Sequence, residues 1–180
     1  MRALVLAFLI GIAIETRTYG GAFGKTIPNE SETYQIIQGL LEGFPTEAHI
    51  SEIKDCLYGA DQISENFAQA VTSYRASTKE SVIEALRYLG EAISQVPKFL
   101  ECNPVERDLM KVYHSLNVFR NPLTFDFVGN KSIKVNEREI YWYLNEAIKF
   151  YEAKKWRDFG FYLGTCFGLV CGSGIQVIGY

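Results

Sequence analysis

Residues 159–172 read FGFYLGTCFGLVCG, with glycine at every fourth position: Gly160, Gly164, Gly168 and Gly172. On a helix, residues four apart share one face, so these glycines form a groove one residue wide. Glycine in a helix interior costs about 1 kcal/mol relative to alanine. Four in succession therefore imply that another backbone packs very closely there. The spacing predicts a central helix with the other helices of a bundle laid against it.

A membrane reading of the same region exists. From Phe159 to Tyr180 there are 22 residues without a charge, enough to cross a bilayer, and small-xxx-small spacing is how membrane helices associate. Gly160, Gly164, Gly168, Gly172 and Gly174 dilute its hydrophobicity, and Ser173 and Gln176 add polar groups. Burial in a water-soluble bundle is the favoured reading over membrane contact through 159–180. A glycosylphosphatidylinositol signal is disfavoured, because Lys154–Asp158 offers no small-residue attachment site.

Working outward, the chain of 180 residues suits a single domain with a sizeable core. A net charge of −3 and the lack of a basic run argue against nucleic acid as a partner. Aromatics make up 14%, and ten of them fall in Tyr141–Phe167, which predicts an aromatic-rich core at that end.

The N-terminus has the form of a secretory leader. Arg2 precedes the uncharged apolar run Ala3–Ile14, and Gly20, Gly21 and Ala22 supply a small-residue cleavage site. Residues 1–22 are expected to be a signal peptide and 23–180 one helical domain in the extracellular space or an organelle lumen. Two sequons, at Asn29 and Asn130, agree with a secreted glycoprotein. Four cysteines in such a chain favour disulfides. Of the three possible pairings, Cys56–Cys102 is favoured, because Cys166 and Cys171 on one continuous helix point to different sides.

Helical spacing organises the rest. Ser31 is expected to cap a helix Glu32–Gly43 with Ile36, Ile37, Leu40 and Leu41 on one side, stopped by Gly43 and Pro45. A 25-residue stripe runs from Ile50 through Ile63 and Phe67 to Tyr74. Ser77–Glu80 has capping-box form and opens a helix carrying Val82, Leu86, Leu89, Ile93 and Val96, which Pro97 ends or kinks. Asn103–Glu106 starts a further helix through Leu116. Residues 123–135 alternate at Phe125, Phe127, Ile133 and Val135 and read as a small β-hairpin or a packed loop. Asn136–Glu139 again has capping form, ahead of Ile140, Leu144, Ala147, Ile148 and Tyr151; Lys154–Trp156 is a break before the glycine ladder. The expected class is all-α, a single-domain bundle of about six helices.

Signatures for chemistry are sparse. The sequence has no HExxH, CxxC pair or EF-hand loop. A catalytic thiol needs a histidine, and the chain has only His49 and His114. Asp55, Asp61 and Glu65 are most simply a solvated helix face. Gly129–Ser132 lacks the contiguity of a phosphate-binding loop, and Gly172-Ser173-Gly174 is not a nucleophile elbow. No catalytic, cofactor or metal residue is assigned, and an enzyme is the least supported class.

The leader, Gly39–Gly43, Asp55-Cys56, Leu100-Glu101-Cys102, Asn121-Pro122, Val128-Gly129 and Phe159-Gly160 with Gly164 and Gly168 together resemble a group of small secreted all-helical proteins of ciliates. The resemblance implies a helical fold and a secretory compartment, and no activity. Cys166 and Cys171 depart from the group's two-cysteine pattern, which leaves their role open. The leading expectation is a non-enzymatic module acting by protein contact, with copies of itself or another protein. The alternative is a carrier of lipid or another apolar ligand.

Overall fold

The computed structural model describes residues 26–44, 60–99, 119, 125–127, 132–135 and 137–171. The expected leader, Cys56, Cys102, Asn130, Gly172, both histidines and the helix expected from Asn103 to Leu116 lie outside the described residues. Five helices are described: α1 (Glu30–Gly43), α2 (Asp61–Arg75), α3 (Lys79–Phe99), α4 (Tyr141–Glu152) and α5 (Trp156–Cys171). Three short strands, β1 (Asp126–Phe127), β2 (Ile133–Val135) and β3 (Arg138–Glu139), form one antiparallel sheet in that order. The architecture is mostly helical with a small sheet, as the periodicities imply.

The expected stripes are the buried faces. Ile36, Ile37, Leu40 and Leu41 of α1, Ile63 and Phe67 of α2, Leu86, Leu89, Ile93 and Val96 of α3, and Leu144 and Ala147 of α4 are all buried in one core. Aromatic rings weld the layers: Phe159 of α5 meets Phe67 of α2 edge-on at 5.4 Å and Tyr151 of α4 at 5.0 Å. Phe119 joins Phe167 at 4.5 Å and Phe125 at 5.4 Å, which ties the sheet region to the end of α5. Between α1 and α2 a buried polar bridge joins Thr33 Oγ1 to Ser64 Oγ, 2.5 Å apart.

Local chemistry fixes the ends, at positions that differ from the sequence expectation by one or two residues. The cap of α1 is Asn29 rather than Ser31. Its Oδ1 accepts from Glu32 N at 3.0 Å, and Glu32 Oε2 accepts from Asn29 N at 2.8 Å, a reciprocal capping box. Phe44, which precedes Pro45, is extended and ends the helix (φ −84°, ψ 137°), the conformation a following proline favours. The box of α3 is Thr78 with Ser81, not Ser77 with Glu80: Ser81 N donates to Thr78 Oγ1 at 3.1 Å and Thr78 N to Ser81 Oγ at 3.0 Å. Ser77 is instead the turn residue between α2 and α3, with φ 56°.

The third capping pattern, Asn136–Glu139, is not a helix start. Arg138 and Glu139 form β3, paired with Val135 and Lys134, and Glu137 turns the chain at φ 65°. Glu139 still serves the helix, from the strand side. Its Oε1 accepts from Tyr141 N at 3.0 Å and from Ile133 N at 2.9 Å, and Ser132 donates its hydroxyl to Oε2. Burial works to raise this carboxyl, but the Ser132 hydroxyl, the two amides and Lys134 outweigh it and hold Glu139 below the usual carboxylate range. The α4–α5 turn closes as a Schellman motif: Lys154 N bonds Tyr151 O at 3.0 Å and Lys155 N bonds Phe150 O at 2.9 Å, with Lys154 left-handed at φ 56°.

Two predictions follow from these ends. Lys154→Gly relieves a left-handed side chain and should stabilise the fold by about 0.5–1 kcal/mol, measured by denaturant unfolding. A folded-state carboxyl below its unfolded value contributes stability that is complete above the unfolded pKa of about 4.3 and is lost as pH falls through the folded value. Glu139→Gln should therefore be less stable than the parent at pH 7, and the difference should shrink as the pH falls below about 4.3 and disappear only below the folded-state value.

Candidate functional site

Two features carry the sequence-predicted residues: a glycine seam between α1 and α5, and the aromatic surface of the α4–α5 hairpin. The seam is reciprocal. A Cβ placed on Gly160 would overlap the carbonyl oxygen of Ile36, and one on Gly164 that of Leu40. From the other side, a Cβ on Gly39 would overlap the carbonyl oxygen of Arg157, and one on Gly43 that of Phe161. Residue numbers rise together on both helices, so α1 and α5 run parallel with their main chains in contact. The fork of Arg157 on Glu42, with Nε to Oε2 at 2.8 Å, closes the seam's solvent edge.

The ladder expected from the sequence is thus half used at the seam. Gly160 and Gly164 meet α1 backbone; Gly168 is half-buried one turn further along, where α1 has already ended at Phe44. The sequence reading missed the partners. Gly39 and Gly43 stand four apart like Gly160 and Gly164, and Gly43, the last residue of α1 as expected, is also a contact position. Cys166 faces the core on α5, fully buried. Asn29 is exposed. No helix among the described residues is long and apolar enough to cross a membrane.

The outer surface of the α4–α5 hairpin, beginning beside the seam at Phe161, is aromatic and open. Trp142 is 54% exposed and Phe161 43%. Trp142 packs edge-on against Tyr143 at 4.9 Å and leans on Tyr162 at 5.7 Å. Tyr162 stacks on Phe150 at 5.1 Å and touches Phe161 at 5.9 Å. Lys155 lies 5.7 Å over the Phe150 ring and ends the ridge with a positive charge. The rings brace one another, so the ridge presents apolar area whose side chains are already ordered.

A cleft of about 50 Å³ lies between the α2–α3 turn, the sheet and the start of α4. Ligand pockets for drug-sized molecules run to roughly 300–1,000 Å³, so this one takes a few heavy atoms and not an acyl chain. Among the described residues no group of three or more His, Cys, Asp or Glu side chains stands close enough to hold a metal ion. No protein-family model, curated protein or solved structure matches the chain.

Alanine at the seam sets two magnitudes against each other. Helix propensity favours Gly→Ala by about 1 kcal/mol; forcing a methyl into a filled space costs about 1–3 kcal/mol or more. Here the obstacle is a carbonyl that cannot rotate away, so the clash wins. Gly160→Ala and Gly164→Ala should each lose about 2 kcal/mol or more in chemical denaturation.

Proposed function

We propose that the protein is a non-enzymatic helical module of the secretory pathway that works by protein contact, docking through the α4–α5 aromatic ridge onto a second copy of itself. The observation that carries this reading is the ridge. Two large apolar side chains, Trp142 and Phe161, stand about half exposed in a mutually braced aromatic group. Tryptophan and tyrosine anchor interfaces because they bury large area at little cost in rotamer freedom. A ridge on both copies suits a two-fold arrangement, in which one patch meets itself. The leader-like N-terminus and the sequon at exposed Asn29 support the compartment.

The test is sedimentation of the mature chain over a range of concentrations. Self-association is expected. Trp142→Ser with Phe161→Ser should weaken it by at least roughly tenfold, with the unfolding midpoint little changed because both side chains are exposed. A chain that stays monomeric up to sub-millimolar concentration, or a dimer indifferent to both substitutions, overturns the reading.

A further inference from the structure

We propose that Asn29 carries an N-linked oligosaccharide added before α1 folds, and that the same side chain then holds both the sugar and the cap of the helix. The proposal rests on the secretory reading of the N-terminus. Asn29-Glu30-Ser31 is an acceptor tripeptide, and all three residues are exposed. The cap divides Asn29 by atom. Its Oδ1 accepts from Glu32 N at 3.0 Å, and its backbone N–H donates to Glu32 Oε2 at 2.8 Å. Its carbonyl oxygen accepts from Thr33 N at 2.8 Å and from Thr33 Oγ1 at 2.9 Å. Nδ2 alone has no partner among the described residues, and Nδ2 is the atom to which an N-linked sugar is attached.

Transfer replaces one hydrogen of Nδ2 by a bond to the anomeric carbon of the sugar. The bond from that carbon to the diphosphate of a lipid-linked donor breaks, the diphosphate leaves with the electron pair, and the displaced proton goes to a base of the transferase. The product is a singly substituted amide with the constitution of a backbone peptide. Peptide carbonyls carry that substitution throughout a helix and still accept its hydrogen bonds, so Oδ1 keeps Glu32 N beneath the sugar. The order of events follows from the surroundings. An Asn-x-Ser requirement means that the transferase engages the hydroxyl as well as the amide. In the fold Asn29 is extended (φ −75°, ψ 176°) while Glu30 and Ser31 already belong to the first turn of α1. Just upstream, Pro28 is buried and the Tyr151 hydroxyl donates to Thr26 O at 2.5 Å. The tripeptide is therefore held from both sides in a bent shape, and an enzyme groove that takes an extended strand must meet it before α1 closes.

The full chain, with Asn130→Gln to leave one sequon, is secreted from a eukaryotic host behind a heterologous leader; secretion by residues 1–22 themselves is scored separately, so the compartment and the site fail independently. Peptide N-glycosidase leaves aspartate where a sugar stood, and mass mapping should locate it at position 29. Asn29→Asp and Ser31→Ala should each abolish occupancy and keep the unfolding midpoint, because aspartate caps a helix as well as asparagine does. Asn29→Ala should lower the folded-to-unfolded ratio roughly fivefold. The glycosylated chain should unfold no earlier than the unglycosylated one. For the order of events, folded chain made with donor synthesis blocked should refuse purified transferase and lipid-linked donor, whereas Ile36→Pro, which breaks α1, should accept the sugar. An empty Asn29 in the secreted chain, a glycosylated chain less stable than its bare form, Asn29→Ala as stable as Asn29→Asp, or a folded parent modified to the same extent as Ile36→Pro would each overturn the assignment.

Discussion

Main-chain contact between α1 and α5 is the constraint on which the other elements depend. Four glycines, two on each helix, leave out the Cβ at the points of closest approach, so carbonyl oxygens of one helix lie where side chains of the other would stand. Such an approach forgoes side-chain burial along the seam and incurs the low helix propensity of glycine, about 1 kcal/mol at each position. The return is dense van der Waals contact between two rigid backbones, with weak Cα–H···O contacts of the kind common at close helix crossings. Because the glycines interlock pairwise, a shift of one residue along either helix would bring a Cβ onto a carbonyl. Register is thereby fixed by shape, with the Arg157–Glu42 fork at the edge as a secondary restraint.

That register dictates what the rest of α5 does. With Gly160 and Gly164 turned to α1, the helical rotation of 100° per residue carries Phe159, Leu163, Cys166, Phe167 and Val170 into the core, all of them buried. It carries Phe161 away from it and leaves Tyr162 at its margin, partly buried. The tight α4–α5 turn then lays α4 alongside, so that Tyr151 meets Phe159 inside while Trp142 and Phe150 meet Tyr162 outside. One aromatic-rich segment is thus divided between core and surface by the seam.

Much of this was legible in the sequence, and the gaps have physical reasons. Apolar stripes at three- and four-residue spacing located α1, α3 and α4, since burial periodicity does not depend on remote context. Gly160 and Gly164 announced a close neighbour, yet Gly39 and Gly43 were not matched to them. A glycine near a helix end is ambiguous between a stop and a contact, and only the partner, more than a hundred positions away, resolves it. The caps shifted by one or two residues because Asn29, Ser31, Ser77 and Thr78 all carry suitable oxygens. Asn136–Glu139 misled for a related reason: a short polar residue followed three later by glutamate also suits a tight turn between strands. Glu139 does bond the first amide of α4, but from β3. The cleft left no linear trace, because its lining comes from α2, α3, two strands and α4.

The distribution of aromatic rings bears on why the ridge stays outside. Phe159, Phe167 and Phe119 lack polar atoms and are wholly buried. Tyr151 enters the core because its hydroxyl reaches Thr26 O at 2.5 Å, which removes the cost of burying it. Trp142 and Tyr162 carry a polar atom on an amphipathic ring and remain at the surface, wholly or in part. Phe161 has no such group, and nothing in its own chemistry favours water. Its exposure follows from its place beside Gly160: turning it inward would rotate α5 and lift the glycines off α1. The stability of the seam thus holds an apolar ring in solvent, where covering it by another molecule gains free energy that the isolated chain cannot recover by itself.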